Sequence, residues 1–262
     1  MKKVGQAAVI LIALTSCLAG IFITQSPKVS AYTPHNPISI EGNADFAQQA
    51  ANEGWPGDGS EGNPYVIEGF EINAEESDGI SIESTRVYFI IRNSQIRGGT
   101  IEEDYDTYNQ GIYLGDVTNG TITNCIIEDN WNGINIISSS DNIVHNNILS
   151  SNLGDGINIL SSSRQTVFNN TLINNGIQIY GSDLDHWMSH IMDTSNTINE
   201  KPLIYWKDID SAIVPPEVGQ VILVNCTDVK VEKQEFINVS IGIQLFCSSN
   251  NTISSNIASY NS

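Results

Sequence analysis

Positive charge is what this sequence lacks most: 11 Lys and Arg stand against 30 Asp and Glu, a formal charge of -19 over 262 residues. A polyanion binds by displacing counterions from a basic face, so nucleic-acid partners are excluded. Such an acidic surface also repels anionic lipid and suits salty or cation-rich surroundings. Cysteine is sparse, and only Cys125, Cys226 and Cys247 lie beyond the N-terminal segment. An odd number allows at most one internal pair and implies no disulfide framework. No HExxH, CxxC, P-loop or dinucleotide fingerprint occurs, which leaves zinc-protease, redox and nucleotide chemistry without support. After the first 31 residues no apolar run is long enough to span a bilayer.

Those first residues read as an export signal. Lys2 and Lys3 precede an apolar run from Ala7 to Ile23, and Val29-Ser30-Ala31 has the small-residue character of a cleavage site. Residues 1–31 are expected to be removed, and a secreted or cell-surface location follows. Leu14-Thr15-Ser16-Cys17 offers the alternative of a lipoprotein box with Cys17 acylated, although the apolar Leu18 to Ile23 beyond it fits that reading poorly. Without this segment eight basic side chains face 30 acidic ones.

What the chain does have is isoleucine and asparagine, 39 and 29 residues. Isoleucine favours strands, whereas asparagine favours tight bends and left-handed backbone, so many short strands joined by sharp corners are expected. A Gly-Ile dipeptide recurs at Gly79, Gly111, Gly133, Gly156, Gly176 and Gly242, a repeat of about 22 residues with one insertion and some degenerate copies. Three residues after each glycine comes Ile82, Leu114, Ile136, Ile159, Ile179 or Leu245. Fourteen after it sits Asn93, Cys125, Asn147, Asn170 or Asn256. Gly98, Asn130, Asn152, Asn175 and Asn261 follow nineteen after it.

A unit this short makes strands of three to five residues with one apolar face, too little to stand alone. Stacked at about 4.8 Å, like residues superpose: isoleucine ladders bury the apolar faces, and asparagine ladders hydrogen-bond along the axis. The ladder positions expected are Asn93, Asn147, Asn170 and Asn256.

The pattern Gly-Ile-x-Ile followed by Ile-x-x-Asn-x-x-x-x-Asn resembles the right-handed parallel β-helix repeats of NosD-like proteins of archaeal and bacterial exteriors. Gly54-Trp55-Pro56-Gly57-Asp58-Gly59, Asn63-Pro64-Tyr65-Val66-Ile67-Glu68-Gly69, Asp193-Thr194-Ser195-Asn196-Thr197-Ile198-Asn199 and Lys201-Pro202-Leu203-Ile204-Tyr205-Trp206 are similar to archaeal members. The resemblance implies an all-β, single-stranded right-handed parallel β-helix solenoid of about eight coils with an N-terminal cap. It says little about activity.

Residues 32–75, rich in Gly, Pro and acidic residues, are expected to form that cap, and residues 76–262 the repeats. Coils 182–240 should be irregular, because Pro202, Pro215 and Pro216 belong at bends or edges. The last coil ends at Ser262 without a polar cap, so the chain is read either as a truncated piece or as one whose edge a partner copy covers by self-association.

Two places carry candidate chemistry. The insertion from Gly98 to Gln110 holds Glu102, Glu103, Asp104, Tyr105, Asp106 and Tyr108, and the next coil adds Glu128, Asp129 and Trp131. Carboxylates beside aromatic rings suit sugar or Ca2+ binding, and two carboxylates at the right separation suit glycoside chemistry; a solvated acidic face is the plainer alternative. In an extended strand His186, Met188, His190 and Met192 would share one face, a ligand set suited to copper. Inward packing of the methionines is the plainer alternative there. Five Asn-x-Ser/Thr sequons occur, of which Asn119 and Asn250 are the glycosylation sites expected at bends. No catalytic residue is assigned. The role expected is a surface module that binds polysaccharide or envelope protein, the alternatives being a polysaccharide lyase or hydrolase and a copper-handling accessory protein.

Overall fold

The computed structural model describes residues 32–99 and 108–261. After each repeated glycine the Ile-x-Ile alternation forms a strand, and the strands Ile38–Glu41, Ile80–Glu83, Ile112–Gly115, Ile134–Ile137, Ile157–Leu160 and Ile177–Tyr180 make a six-stranded first sheet. All its pairings are parallel and in register, so Ile38, Ile80, Ile112, Ile134, Ile157 and Ile177 form one column. Every member is buried. Ile40, Ile82, Leu114, Ile136, Ile159 and Ile179 form a second buried column beside it. Each such side chain contributes roughly 1.5–3 kcal/mol when fully removed from water.

The second sheet runs from Tyr65–Glu68 to Ile191–Met192, and the third from Thr33–His35 to Thr197–Ile198 before continuing into the C-terminal part. Between sheets the chain turns sharply, and the corner residues have left-handed backbone: Asn124, Asn146, Asn169 and Asn174 have φ of 54°, 57°, 54° and 54°. The Asn-Asn pairs divide their work. The first residue bends the chain; the second stacks. Asn147 N–H donates to Asn170 Oδ1 at 3.1 Å, and Asn170 N–H donates to Asn196 Oδ1 at 3.2 Å. A parallel ladder joins Asn130, Asn152 and Asn175.

The glycine of the repeat answers a different need, close approach between coils. A Cβ on Gly111 would lie 2.6 Å from Gly133 O, and one on Gly133 would lie 2.7 Å from Gly156 O. No side chain fits at that distance.

The spacing rule misplaces one coil. The corner after Glu83 is one residue longer than the corner after Gly115, since Glu83 pairs with Gly115 but Phe89 pairs with Gly120. Asn93 therefore bends the chain with φ 49° instead of stacking. The ladder place in its coil belongs to Ser94, whose Oγ accepts Phe70 N–H at 3.2 Å. Ile91 is correspondingly the inward residue of this strand, paired with Ile122. Asn256 stacks as expected in kind but in a separate, C-terminal ladder, where its Oδ1 accepts Gln234 N–H at 2.8 Å.

Residues 32–75 are not a cap set apart from the coils. Ile38–Glu41, Tyr65–Glu68 and Phe70–Asn73 pair in register with the next coil and form the first one. Helix α1 (Gly42–Glu53) lies over the end, and Thr33–His35 adds an outermost strand beside Phe70–Asn73. Its Phe46 is fully buried and stacks on Tyr65 with ring centroids 5.0 Å apart. The helix stops at Gly54, in left-handed conformation at φ 71°.

After six coils the chain reverses. Thr197–Ile198 pairs antiparallel with Lys201–Lys207 through Asn199 and Glu200, whose φ values are 48° and 67°. Two consecutive positive φ values characterise a tight two-residue hairpin. A second block follows, with Lys201–Lys207, Gln220–Val224 and Ile243–Phe246 in parallel register and two further two-stranded sheets. Every residue of Gln220–Val224 is buried, because one face looks into the second block and the other covers the end of the first.

Candidate functional site

The corner that leads from the third sheet into the first carries a row of polar side chains and a pair of aromatic rings. The residues before the first four repeated glycines are Asp78, Gln110, Asn132 and Asp155, and these form a hydrogen-bonded row along the axis. Gln110 N–H donates to Asp78 Oδ1 at 2.6 Å, Asn132 Nδ2 to Gln110 Oε1 at 2.9 Å, and Asp155 N–H to Asn132 Oδ1 at 2.8 Å. Burial raises the Asp78 carboxyl above its ordinary range and pushes Asp155 up to about 6. Burial also raises the Tyr113 hydroxyl, helped by the negative charges of Glu83 and Asp78.

On the outward face of the first sheet Ser39, Ser81, Tyr113, Asn135, Asn158 and Gln178 align in register. Asn158 Nδ2 donates to Asn135 Oδ1 at 3.0 Å. Beside this strip the corner carries Tyr108, Trp131 and Leu153 in successive coils. Tyr108 and Trp131 meet edge to face, centroids 4.4 Å apart, and Tyr108 and Leu153 are 51% and 55% exposed. Past Leu153 opens a cleft of about 340 Å³ bounded by Asn174, Asn238, Ser240 and Tyr260.

A family model described as a right handed beta helix region matches residues 55–198. The chain belongs to the right-handed β-helix family. No curated protein matches it.

In this β-helix the expected acidic-loop site is only partly placed. Glu102, Glu103, Asp104, Tyr105 and Asp106 lie outside the described residues. Both roots of their loop are held: Gly99 N–H donates to Asn130 Oδ1 at 3.1 Å, and Trp131 N–H donates to Asn109 O at 2.9 Å. Glu128 stands on the third sheet and accepts Gln95 Nε2 at 2.9 Å. Asp129 begins the corner with φ 57°, its carboxyl raised by burial and by Glu128 while Arg97 opposes.

The strand expected to carry copper ligands does not form. His186 and Met188 lie on helix α2 (Asp185–Met188), and a strand starts only at Ile191. Both His190 nitrogens are engaged: Nδ1 accepts Gln165 N–H at 3.1 Å, which leaves the proton on Nε2 to donate to His186 O at 2.8 Å. Burial lowers this imidazole to about 4, so it is neutral. Met192 is buried in the core, and Trp187, between the histidine and methionine of α2, stacks on Phe246 at 4.6 Å. Among the described residues no three His, Cys, Asp or Glu side chains converge as a metal site.

Every arginine is paired with a carboxylate: Arg86 with Asp116, Arg92 with Glu68, Arg97 with Glu71 and Arg164 with Asp141. None stands free beside the corner as a base. Of the sequons, Asn250 is exposed at a corner, whereas Asn119 Nδ2 is engaged by Arg86 O and Thr118 Oγ1 at 3.1 and 3.0 Å. The Asp78 to Asp155 row is not among the sites expected from the sequence, although its signal is there: one polar residue precedes each of the first five repeated glycines.

Proposed function

We propose that this protein is an exported, non-catalytic module of the cell surface or envelope that holds a linear polysaccharide along its coil axis. The observation that supports this most is the row Tyr108, Trp131 and Leu153, which runs beside an in-register polar strip into the cleft at Tyr260. Apolar faces placed next to convergent amide and hydroxyl groups suit sugar rings, which present both kinds of surface. The coil spacing repeats this arrangement in the direction of a linear polymer. The NosD-like resemblance, with its exported archaeal and bacterial members, agrees with the location, as does the signal-like character of residues 1–31.

A glycan array probed with the purified protein tests the reading. Retention of one polysaccharide class without release of new reducing ends or unsaturated sugars is expected. Trp131→Ala should weaken that binding at least ~10-fold, about 1.4 kcal/mol, at unchanged melting temperature. Product release from the retained polymer, or undiminished binding by the variant, would refute the assignment.

A further inference from the structure

The outward face of the first sheet carries a second column beside the polar strip. In register it reads Glu41, Glu83, Gly115, Ile137, Leu160 and Tyr180. Its character changes along the axis, from acidic in the first two coils to apolar in the last three. Gly115 belongs with the apolar part, because the Tyr113 ring lies across it: a Cβ there would meet Tyr113 Oη at 2.8 Å and Cε1 at 2.9 Å. Tyr180, at the far end, is 64% exposed.

Chain order places Tyr108, Trp131 and Leu153 ahead of these strands and Ile137, Leu160 and Tyr180 at their ends. The polar strip is therefore the floor of a trough with an apolar wall on each side. That floor has hydrogen-bonding groups to spare. Asn135 is only 7% exposed, and its Oδ1 accepts Asn158 Nδ2 at 3.0 Å. Among the described residues nothing accepts from Asn135 Nδ2 and nothing donates to Asn158 Oδ1, and neither atom is sealed from solvent.

Charge narrows the choice of ligand. No Lys, Arg or His occurs in the strip or in either wall. The arginines of the corner that follows these strands, Arg86 and Arg164, already hold Asp116 and Asp141. Carboxylates are close instead: Glu83 is in register with Gly115, and Asp78 and Asp155 belong to the row at the preceding corner. A polymer bearing carboxylate or sulfate groups would meet repulsion there and find no cation to pair with. A sugar hydroxyl both donates and accepts, so neutral sugars can complete Asn135 Nδ2 and Asn158 Oδ1 together.

Resting on the polysaccharide reading above, we infer that this trough takes a neutral polysaccharide, whose hydroxyls are read by Asn135 and Asn158 and whose ring faces lie against the two walls. The uncharged floor and the apolar walls of the last three coils offer an ammonium group no direct partner either.

Binding of the full chain to immobilised polymers tests this, with a neutral glucan and mannan set against polygalacturonate, dextran sulfate and chitosan. One neutral polymer should bind at least ~10-fold more tightly than any charged one. Its affinity should change less than ~2-fold between about 0.05 and 0.5 M NaCl, since no ion pair is made. Asn135→Leu removes the spare donor at similar volume and should weaken binding at least ~10-fold, because the ligand hydroxyl is left without its partner. Tyr180→Ala, at an exposed position, should weaken it at least ~5-fold at unchanged melting temperature, and this variant decides the matter even where Asn135→Leu loosens the coil. Tighter binding of an acidic polymer, with or without CaCl2, or of chitosan would overturn the inference and leave the polysaccharide reading standing. Neutral-polymer binding that neither variant weakens would also overturn it, and binding to none of the polymers would remove both.

Discussion

Gln220 stands to Ile177 as a neighbouring strand would. Its Nε2 donates to Ile177 O at 2.6 Å, and its Oε1 accepts Ile177 N–H at 2.9 Å. Gln244 Oε1 accepts the next available amide, Ile179 N–H, at 3.4 Å, and Ser240 Oγ accepts Gly176 N–H at 3.0 Å. Side chains of the second block thus close the backbone edge that the last strand of the first sheet leaves open.

Gln220→Leu keeps the volume and removes both bonds. Two backbone groups of Ile177 would then be buried without partners, at about 1–3 kcal/mol each. Urea denaturation should show a loss of roughly 2–6 kcal/mol; a variant as stable as the parent would mean that the amide does not close the edge.

The two members of an Asn-Asn pair should respond oppositely to substitution. Asn146 supplies left-handed backbone at φ 57°, so Asn146→Gly should change stability by no more than about 0.5 kcal/mol. Asn147 is buried and bonds Asn170 Oδ1 and Ile122 O. Asn147→Ala is expected to cost about 2–4 kcal/mol. Equal thermal shifts for the two variants would contradict this division of roles.

Gly133→Ala puts a methyl group 2.7 Å from Gly156 O and 2.8 Å from Leu149 Cδ2. The coils must separate locally, and overpacking of this kind costs roughly 1–3 kcal/mol. Hydrogen exchange should speed up first in strands Ile134–Ile137 and Ile157–Leu160. Uniform exchange across all coils would point to another cause.

Asp155 makes stability depend on pH in a stated direction. Its folded carboxyl is raised from 3.8 to about 6 by burial, so between these values the folded state binds more protons than the unfolded one. The favourable contribution is complete below the unfolded value and is lost as pH rises through about 6, a total of roughly 3 kcal/mol. Asp155→Asn should flatten this dependence and leave the variant more stable than the parent at pH 7.5, by urea denaturation. A parent–variant difference that does not change between pH 4 and pH 7.5 would exclude the effect.

The candidate corner was half legible before folding was considered. Tyr108, Trp131, Glu128 and Asp129 attract notice as residue types, and the repeat places them in adjacent coils. The row Asp78, Gln110, Asn132 and Asp155 mixes charged and neutral side chains, so residue type alone hides its continuity. The His186 to Met192 segment failed as a strand because Trp187 is needed as an anchor against Phe246, and one turn of helix delivers it there. Alternation along a sequence cannot register a packing partner 59 residues away.

The coil itself was settled by sequence alone. Glycine, isoleucine and asparagine recur in phase, and a parallel stack places each residue over its counterpart, so periodicity and geometry carry the same information. Tertiary structure decided where that stack stops. Whether Asn93 bends or stacks depends on one extra residue in a corner, and the reversal at Asn199 and Glu200 puts Gln220 across Ile177. Both outcomes turn on contacts between segments distant in the chain, where any polar side chain of the right length would have satisfied the pattern and only the folded arrangement selects one.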